Sequence, residues 1–450
     1  YAGGIRHKEI ESSFPTEYRH KFNADITIDD VHHLEKASVN AKLGFNLTEG
    51  EGNEFILKFY SPEVNLTLSD TLPVIENLGF VAIDEQSFAI KASSDFKQSW
   101  IYEFRLFSPI TINVPFLQLK HNIEEALSKV SDGALASDIL SKLLVISGFK
   151  WTQIKLLRCL TRYLHQTGFM YGKGYMQQTL IKHNKYTEML VSLFAAKFDP
   201  KTCSKEQVIS LSKDMQDYLE GVSSSTEDKV LQSMRGIVEA IVRTNFYQNI
   251  GSDIKNYLSF KFDSSKVPDL PLPVPYAEIF VYSNDFEGIH LRGGKVARGG
   301  LRWSDRGEDY RTEVLGLMKA QMTKNAVIVP VGSKGSFYIH ITQREMSQEE
   351  YMQKVVACYQ DFLRGLLDVT DNLVDGKVVH PDNTMIHDDD DPYLVVAADK
   401  GTASFSDYAN AVSREYNFWL GDAFASGGSV GYDHKKMGIT AKGAWISAQS

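Results

Sequence analysis

Glycine alternates with cationic side chains from Gly288 to His340, and this stretch most constrains how the chain can fold. Two glycine pairs, Gly293-Gly294 and Gly299-Gly300, let the main chain approach a ligand closely, because glycine lacks a Cβ and tolerates positive φ. The cations that surround the pairs are Lys295, Arg298 and Arg302. An ordinary set of surface cations is the alternative, but the interleaved glycines favour a cationic pocket.

A helix and a strand are expected after the glycines. Apolar residues at three- and four-residue spacing predict a helix from Glu313 to Asn325, with Lys324 near its end. The β-branched run from Ala326 to Val331 predicts a short strand, and Gly332 to Ser336 predicts a tight turn that presents Lys334. A desolvated lysine among other cations gives up its proton more readily than a solvated one, so Lys334 is a candidate base.

The segments of this stretch follow one another in a recognisable order: Arg298-Gly299-Gly300-Leu301-Arg302, Glu313-Val314-x-x-Leu317, Lys324-Asn325-Ala326 and Pro330-Val331-Gly332-Ser333-Lys334-Gly335. This order resembles the amino-acid dehydrogenase superfamily, most closely the large bacterial NAD-dependent glutamate dehydrogenases. The resemblance implies that Lys334 is the catalytic lysine and that Lys324 binds the substrate α-carboxylate. It also implies that Arg298, with Gly299 and Gly300, forms the site for the side-chain carboxylate.

Two later segments extend the resemblance. Ala398-Asp399-Lys400-Gly401-Thr402 is similar to the family motif A-P-D-x-G-T, which implies that Asp399 shuttles protons beside the catalytic lysine. The glycine-rich segments 427–431 and 438–443 are similar to the hinge into the family's nucleotide domain, which implies cofactor contacts for Ser429 and Thr440. The chain departs from the family pattern in having Arg298 for lysine and Ser336 for glycine.

The length of 450 residues suits about three domains. We expect a ferredoxin-like, ACT-like module in residues 1–118, because short alternating strands and two helices approach the order βαββαβ. The predicted strands are Asp25 to Ile28, Ala41 to Leu47, Glu54 to Tyr60, Val81 to Ile90 and Trp100 to Phe107, and the predicted helices are Asp29 to Lys36 and Ser69 to Leu78. The module is either a ligand sensor or a structural spacer.

Helical periodicity follows and predicts a helical domain in residues 119–265. Its expected helices are Asn122 to Val130, Ala136 to Ile146, Trp151 to His165, Tyr175 to His183, Thr187 to Phe198, Lys205 to Leu219 and Ser225 to Phe246. Their apolar stripes indicate core packing. The fold class is therefore a multidomain combination of α/β and α+β parts.

Residues 266–450 are expected to form an α/β substrate-binding domain of the glutamate dehydrogenase type. Four prolines between Lys266 and Pro275 predict an extended junction, and Ala277 to Tyr282 predicts a strand. A helix from Gln348 to Leu367 and a strand from Tyr393 to Ala397 complete the prediction, the strand delivering Asp399 at its end.

The acidic run Asp388 to Asp391 is a candidate for a divalent metal, but a solvated loop or helix entry is the favoured interpretation, so no metal is predicted. The net charge of −9 argues against nucleic-acid binding, and no apolar run of membrane-spanning length occurs. Three widely spaced cysteines suit the reducing cytoplasm.

The resemblance implies reversible oxidative deamination of L-glutamate to 2-oxoglutarate and ammonia with NAD, by a protein that is a homo-oligomer at full length. The sequence has no G-x-G-x-x-G after a strand, so we expect this chain to be a piece whose nucleotide (Rossmann) domain follows Ser450 and which is inactive alone. Two alternatives remain. A leucine- or phenylalanine-type dehydrogenase would need no cation for a second carboxylate, so the presence of Arg298 argues against this alternative. A non-catalytic regulatory or scaffold fragment would use the cations to bind an effector anion.

Overall fold

The computed structural model describes residues 12–93, 97–248, 255–324, 331–342, 346–429, 431 and 437–449. These residues divide into two compact units. The first comprises Tyr1–Arg158 with Gln177–Glu188, and the second Cys159–Met176 with Met189–Ser450.

An antiparallel sheet of four strands forms the centre of the first unit. The elements in chain order are α1 (Thr16–Lys21), α2 (Ala24–Asn40), β1 (Gly44–Glu49), β2 (Glu54–Pro62), α3 (Leu68–Asn77), β3 (Val81–Ile90) and β4 (Ser99–Phe107). The strand order in the sheet is β1-β2-β4-β3, with every pair antiparallel. Four of the five predicted strands and both predicted helices are confirmed.

The predicted strand from Asp25 to Ile28 is wrong, because these residues lie in helix α2. The side chain of Asn23 caps this helix by accepting the Ile26 N–H at 3.0 Å. The buried positions Val31 and Leu34 continue the helical spacing. The chain order is therefore αββαββ, which becomes the predicted βαββαβ when β4 is counted as the first strand.

The predicted helices between residues 119 and 240 are confirmed with small shifts in their ends. They are α4 (Phe116–Ser131), α5 (Lys142–Ile146), α6 (Trp151–Gln166), α7 (Lys173–Lys182), α8 (Asn184–Phe198), α9 (Lys205–Glu220) and α10 (Ser225–Ala240). The segment predicted as one helix from Ala136 to Ile146 has a 3-10 turn, Ile139–Ser141, before the five-residue α5. The predicted helix to Phe246 ends at Ala240.

A mixed sheet of eight strands forms the centre of the second unit. Its strands are β5 (Ile241–Thr244), β6 (Tyr257–Asp263), β7 (Ala277–Ser283), β8 (Phe286–Arg292), β9 (Ala297–Arg298), β10 (Gly300–Trp303), β11 (Val331–Ile339) and β14 (Ala397–Ala398). The order is β14-β10-β11-β8-β7-β6-β5, and β9 also pairs with β11. From β5 to β11 the neighbours are antiparallel, whereas β10 runs parallel to both β11 and β14.

Strands β5 and β6 come before residue 266, where the sequence places the start of the substrate-binding domain. Strand β5 replaces the predicted end of a helix, because Ile241 turns to extended backbone and Arg243 pairs with a buried carboxylate, Asp371. The sheet thus takes strands from both sides of the predicted boundary.

The remaining elements of the second unit are α11 (Tyr310–Lys324), α12 (Gln348–Leu367), the hairpin strands β12 (Asn372–Val374) and β13 (Lys377–Val379), α13 (Ser406–Glu415) and α14 (Ile439–Gln449). Helix α12 has the predicted bounds, and Ser347 and Glu350 form a capping box at its start. Its buried face contributes Phe362, Leu363 and Leu366 to the same core as Phe337 of β11.

Two local predictions in this unit are wrong. The segment Gly332 to Ser336, predicted as a turn, lies inside strand β11. The segment Tyr393 to Ala397, predicted as a strand, has strand structure only at Ala397–Ala398, and Val396 instead donates its N–H to the Phe424 carbonyl at 2.8 Å. Of the predicted strand from Ala326 to Val331, all but Val331 lies outside the described residues. No helix in the described part of the chain is long and apolar enough to cross a membrane.

Candidate active site

Lys334 and Asp399 form an ion pair in the parallel half of the second sheet. The Lys334 Nζ lies 2.6 Å from Asp399 Oδ2, and Lys334 is only 9% exposed. Strand β10 lies between the two segments, with Leu301 paired to Gly335 on one side and to Ala398 on the other. The register therefore places a lysine inside β11 beside the aspartate that follows β14.

The loop that carries Asp399 is hydrogen-bonded to β10. The Asp399 N–H donates to Thr402 Oγ1 at 3.0 Å, and the Thr402 hydroxyl donates to the Leu301 carbonyl at 2.8 Å. Gly401 has a φ of +84°, which other residues rarely adopt. Trp303 donates its N–H to the Lys400 carbonyl at 3.2 Å, so both ends of this short loop are held.

Arg302 completes a network of charges around Asp399. Its Nε donates to Asp399 Oδ2 at 3.2 Å, and its Nη1 donates to Glu313 Oε1 at 2.8 Å. Burial by itself raises the pKa of Asp399, but the Lys334 hydrogen bond and charge, together with Arg302, bring it below its usual range. Burial likewise disfavours the Arg302 cation, and its two carboxylate partners reverse this and raise its pKa. The site therefore favours an ionised Asp399.

The glycines of the motif permit strands to approach one another. A Cβ on Gly299 would lie 1.6 Å from the Ser333 carbonyl oxygen, and one on Gly300 would lie 3.0 Å from the Ala397 carbonyl oxygen. A Cβ on Gly335 would lie 2.3 Å from Leu301 Cδ2. The contacts seen for Gly299 and Gly300 are thus with β11 and β14. Their predicted approach to a ligand stays a prediction.

The two predicted carboxylate-binding cations lie on neighbouring elements. Arg298 is exposed and is paired in register with Gly332, two residues before Lys334. Lys324 is the last residue of α11, and its side chain lies outside the described residues. Helix α11 packs directly on β11, because a Cβ on Gly332 would lie 2.7 Å from Gln321 Cγ.

The two predicted cofactor contacts are not brought to the ion pair by any described contact. Ser429 donates both its N–H and its hydroxyl to Asp407 Oδ1, each at 2.9 Å. The backbone of Thr440 lies in α14, and its side chain lies outside the described residues. The roles of both residues stay predictions.

The acidic run Asp388 to Asp391 is partly buried among cations, which corrects the expectation of a solvated loop. Asp391 pairs with Arg292 and Lys261, and Asp388 with Lys261 and Arg243. Burial alone raises the pKa of Asp391, but the two cations lower it well below its ordinary value.

Asp371, His380 and Asp390 bring possible metal-ligand atoms within 4.8 Å of one another. Both Asp371 oxygens already accept hydrogen bonds from Arg243, at 2.6 and 3.1 Å. These contacts account for the carboxylate without an ion.

Sequence reasoning noted Arg302 only as one cation among several and gave no role to Glu313 or Thr402. The structure puts all three in the network around Asp399. A signal was present in each case, because Arg302 ends the first quoted motif, Glu313 begins the second and Thr402 ends the aspartate motif.

Comparisons with known proteins show which family the chain resembles. Residues 214–450 match the bacterial NAD-glutamate dehydrogenase catalytic domain, residues 135–200 match glutamate dehydrogenase helical motif 3, and residues 42–111 match the glutamate dehydrogenase ACT3 domain. The chain is 44% identical to an NAD-specific glutamate dehydrogenase of Pseudomonas aeruginosa and 45% identical to one of Halomonas elongata, each over 98% of this chain. It is 40% identical to one of Mycobacterium tuberculosis over 96% of this chain.

In all three cases the aligned part covers 28% of the relative's length. The catalytic-domain match alone takes in more than half of this chain. The resemblance found in the motifs is thereby confirmed, and the chain belongs to the bacterial NAD-glutamate dehydrogenase family.

Proposed function

We propose that the full-length protein oxidatively deaminates L-glutamate to 2-oxoglutarate and ammonia, reversibly and with NAD, and that this chain carries the substrate-binding and catalytic half. The observation that supports this most is the 2.6 Å ion pair between Lys334 and Asp399. A largely buried lysine that touches a carboxylate is a ready proton-transfer pair. The relatives, which are named NAD-specific glutamate dehydrogenases, support the choice of substrate and cofactor.

In this proposal the cations of the glycine-rich stretch bind a dicarboxylate. Arg298 offers a planar guanidinium that can hold the side-chain carboxylate by two hydrogen bonds. Lys324 offers a point charge to the α-carboxylate from the end of α11, which packs on β11. Gly299 and Gly300 keep the main chain that follows Arg298 free of side chains.

Lys334 and Asp399 then carry out the proton transfers of the reaction. After hydride has left the substrate Cα, Lys334 passes its own proton to Asp399 and, now neutral, takes a proton from the water that attacks the iminium carbon. Asp399 gives its proton to the nitrogen of the resulting carbinolamine, and it then takes the hydroxyl proton as the carbonyl forms and ammonia leaves. Proton transfer by positioned groups of this kind contributes about 10²–10⁴-fold to a rate.

NAD, when bound, accepts the hydride from the substrate Cα. The sequence has no glycine fingerprint after a strand, and the Ser429 hydroxyl donates to Asp407. We therefore assign cofactor binding mainly to residues outside this chain, with Ser429 and Thr440 at its margin.

We also propose that the full-length protein acts in the cytoplasm as a homo-oligomer, without nucleic-acid or membrane partners. The net charge of −9 supports the first of these exclusions, because nucleic-acid binders generally present an excess of positive charge.

The test is to follow NADH oxidation by the full-length protein with ammonium and either 2-oxoglutarate or a branched-chain 2-oxo acid. We expect 2-oxoglutarate to be consumed in strong preference. Arg298→Leu should raise KM for 2-oxoglutarate, whereas Lys319→Ala, which removes an exposed cation of α11, should not. Preference for the branched acid would contradict the dicarboxylate site, and inactivity with every acid would favour a non-catalytic fragment.

A further inference from the structure

The ion pair of Lys334 and Asp399 is one end of a longer chain of contacts. Arg302 Nε and Lys334 Nζ approach the same atom, Asp399 Oδ2, at 3.2 and 2.6 Å. On its other side Arg302 donates from Nη1 to Glu313 Oε1 at 2.8 Å. The second oxygen of Glu313 accepts the Ser304 hydroxyl at 2.7 Å. The contacts therefore run from Ser304 through Glu313, Arg302 and Asp399 to Lys334.

Four separate segments supply this chain of contacts, which restricts how Arg302 can move. Arg302 and Ser304 come from β10 and the residue after it, and Glu313 comes from the first turn of α11. Because Glu313 is held by Ser304, it fixes one edge of the guanidinium. The opposite edge, at Nε, is then directed at Asp399. An arginine held at both edges gives a defined geometry that a single flexible contact does not.

The exposure of the network indicates that it does more than hold the fold together. The side chains of Arg302 and Asp399 are 18% and 23% exposed, so solvent reaches both and screens part of their attraction. A charge beside a carboxylate nevertheless changes the proton affinity of that carboxylate directly. The main effect of Arg302 is therefore on the protonation of its partner.

We propose that Arg302, held by Glu313, is a positioning residue that keeps Asp399 ionised and directs its carboxylate toward Lys334. This inference rests on the proposed function, since it assigns the two residues a part in the same reaction. Asp399 can take a proton from Lys334 only while it is ionised, so Arg302 extends toward lower pH the range in which the pair works.

The sign of the expected pH effect follows from the groups that face Asp399. Lys334 approaches it from β11, Arg302 from β10, and Glu313 from α11 lies behind Arg302. Burial raises the pKa of Asp399, while Lys334, the Lys400 N–H and Arg302 lower it. Without Arg302 one lowering contribution is lost, so the pKa of Asp399 rises. The acid limb of the kcat/KM profile then moves to higher pH.

The experiment measures pH profiles of glutamate oxidation by the full-length enzyme and its Arg302→Gln, Arg302→Lys and Glu313→Ala variants. Arg302→Gln should move the acid limb upward by about one pH unit, since an adjacent arginine lowers a carboxyl pKa by about 1–3 units. KM for glutamate should change little while plateau kcat falls. Arg302→Lys keeps the charge, so it should restore the acid limb but not the plateau kcat, because an ammonium cannot reach both carboxylates in the same way.

Glu313→Ala removes the contact that holds one edge of the Arg302 guanidinium, so it should lower plateau kcat, as Arg302→Gln should. The matched control is Arg306→Gln, which removes an exposed arginine of the same segment that pairs with Asp309. Its acid limb should coincide with that of the unmodified enzyme. Thermal unfolding midpoints of all variants are measured beside the profiles.

The possible results separate the two proposals. An enzyme that oxidises glutamate but has the same acid limb in Arg302→Gln as in the unmodified form overturns the positioning role and leaves the proposed function intact. Equal loss of activity at every pH, with a lowered unfolding midpoint, also overturns it, since that is the result of a purely structural role. If Arg302→Gln does not fold, plateau kcat values in Arg302→Lys and in Glu313→Ala that both equal the value of the unmodified enzyme overturn it. An unmodified enzyme that does not act on glutamate refutes the function itself.

Discussion

Replacing Gly299 with alanine should disable the site while most of the sheet remains folded. The new Cβ would lie 1.6 Å from the Ser333 carbonyl oxygen and 2.5 Å from the carbonyl carbon. Both atoms belong to backbone, so no side chain can rotate away. Restoring an ordinary contact requires the segments around Gly299 and Ser333 to separate by roughly 2 Å, given that non-bonded atoms attract best at about 3.5–4.0 Å.

The displaced residue, Ser333, directly precedes Lys334, so Lys334 is displaced with it. A misplacement of about 1 Å in a catalytic constellation can cost about 10²-fold in rate, so kcat/KM of the full-length enzyme should fall by about that factor. Forcing extra atoms into a packed region also costs about 1–3 kcal/mol of unfolding free energy. Turnover is assayed as NADH formation from glutamate, and stability by urea unfolding.

Gly316→Ala is the matched control for this substitution. Gly316 is exposed in α11, and a Cβ there would meet nothing within 4 Å. Alanine is the better helix former, so this variant should gain about 0.5–1 kcal/mol in stability with unchanged turnover. A Gly299→Ala enzyme with the turnover and stability of the unmodified protein would refute the argument that β9, β10 and β11 must approach this closely.

Three further substitutions test other parts of the second unit. Lys334→Ala should lower kcat by about 10²–10⁴-fold, the range of general acid–base catalysis, and near-normal turnover would remove Lys334 from the mechanism. Glu278→Gln should cost about 3–5 kcal/mol of unfolding free energy, because the fully buried Arg311, which lies 2.9 Å from Glu278, would lose its counter-charge. An unchanged urea midpoint would show that this ion pair contributes nothing to stability. Burial, together with Arg292, lowers the pKa of His290 to about 3, so between pH 6.5 and 3 the unfolded chain takes up a proton that the folded chain refuses. Stability conferred by a neutral His290 is thus present above pH 6.5 and is lost as the pH falls, by about 1.4 kcal/mol per pH unit. In His290→Leu the unfolding free energy from urea denaturation should therefore fall less steeply with decreasing pH, by that slope. Parallel plots of unfolding free energy against pH for the two proteins would contradict this.

The long helices and strands could be predicted from the sequence because several sequence features indicate the same structure in each of them. Helix α12 has apolar residues at helical spacing behind a Ser347–Glu350 capping box, and its predicted bounds are those observed. Short segments gave no such agreement. Residues Asp25 to Ile28 alternate as a strand would, but they continue into buried Val31 and Leu34 as the first turns of one helix.

Glycine was the least predictable residue in this chain, because it is used for two different physical reasons. At Gly401 it permits a positive φ, as turn chemistry predicts. Gly332 and Gly335 have no positive φ, and they are glycine because Gln321 of α11 and Leu301 of β10 occupy the space of a Cβ. The sequence cannot distinguish these cases, which is why strand β11 was predicted as a turn.

The pairing of Lys334 with Asp399 was anticipated from motifs, whereas the part played by Arg302 was not. Arg302 and Glu313 are separated by eleven positions and belong to a strand and a helix. Their contact depends on where α11 packs against the sheet, and Gly332, outside both motifs, leaves room for Gln321 of α11.

The location of the site follows from the change of strand direction within the second sheet. Up to β11 the neighbours are antiparallel, so successive strands end at opposite edges. Strands β11, β10 and β14 run parallel, so the ends of β10 and β14 meet at one edge, and Arg302 and Asp399 arrive there together. Lys334 reaches the same place from within β11, where it directly precedes Gly335, the register partner of Leu301 on β10. A shift of one residue in the β10 to β11 register would turn Arg302 to the opposite face of the sheet, so the contact between Arg302 and Asp399 depends on the glycines that permit this register.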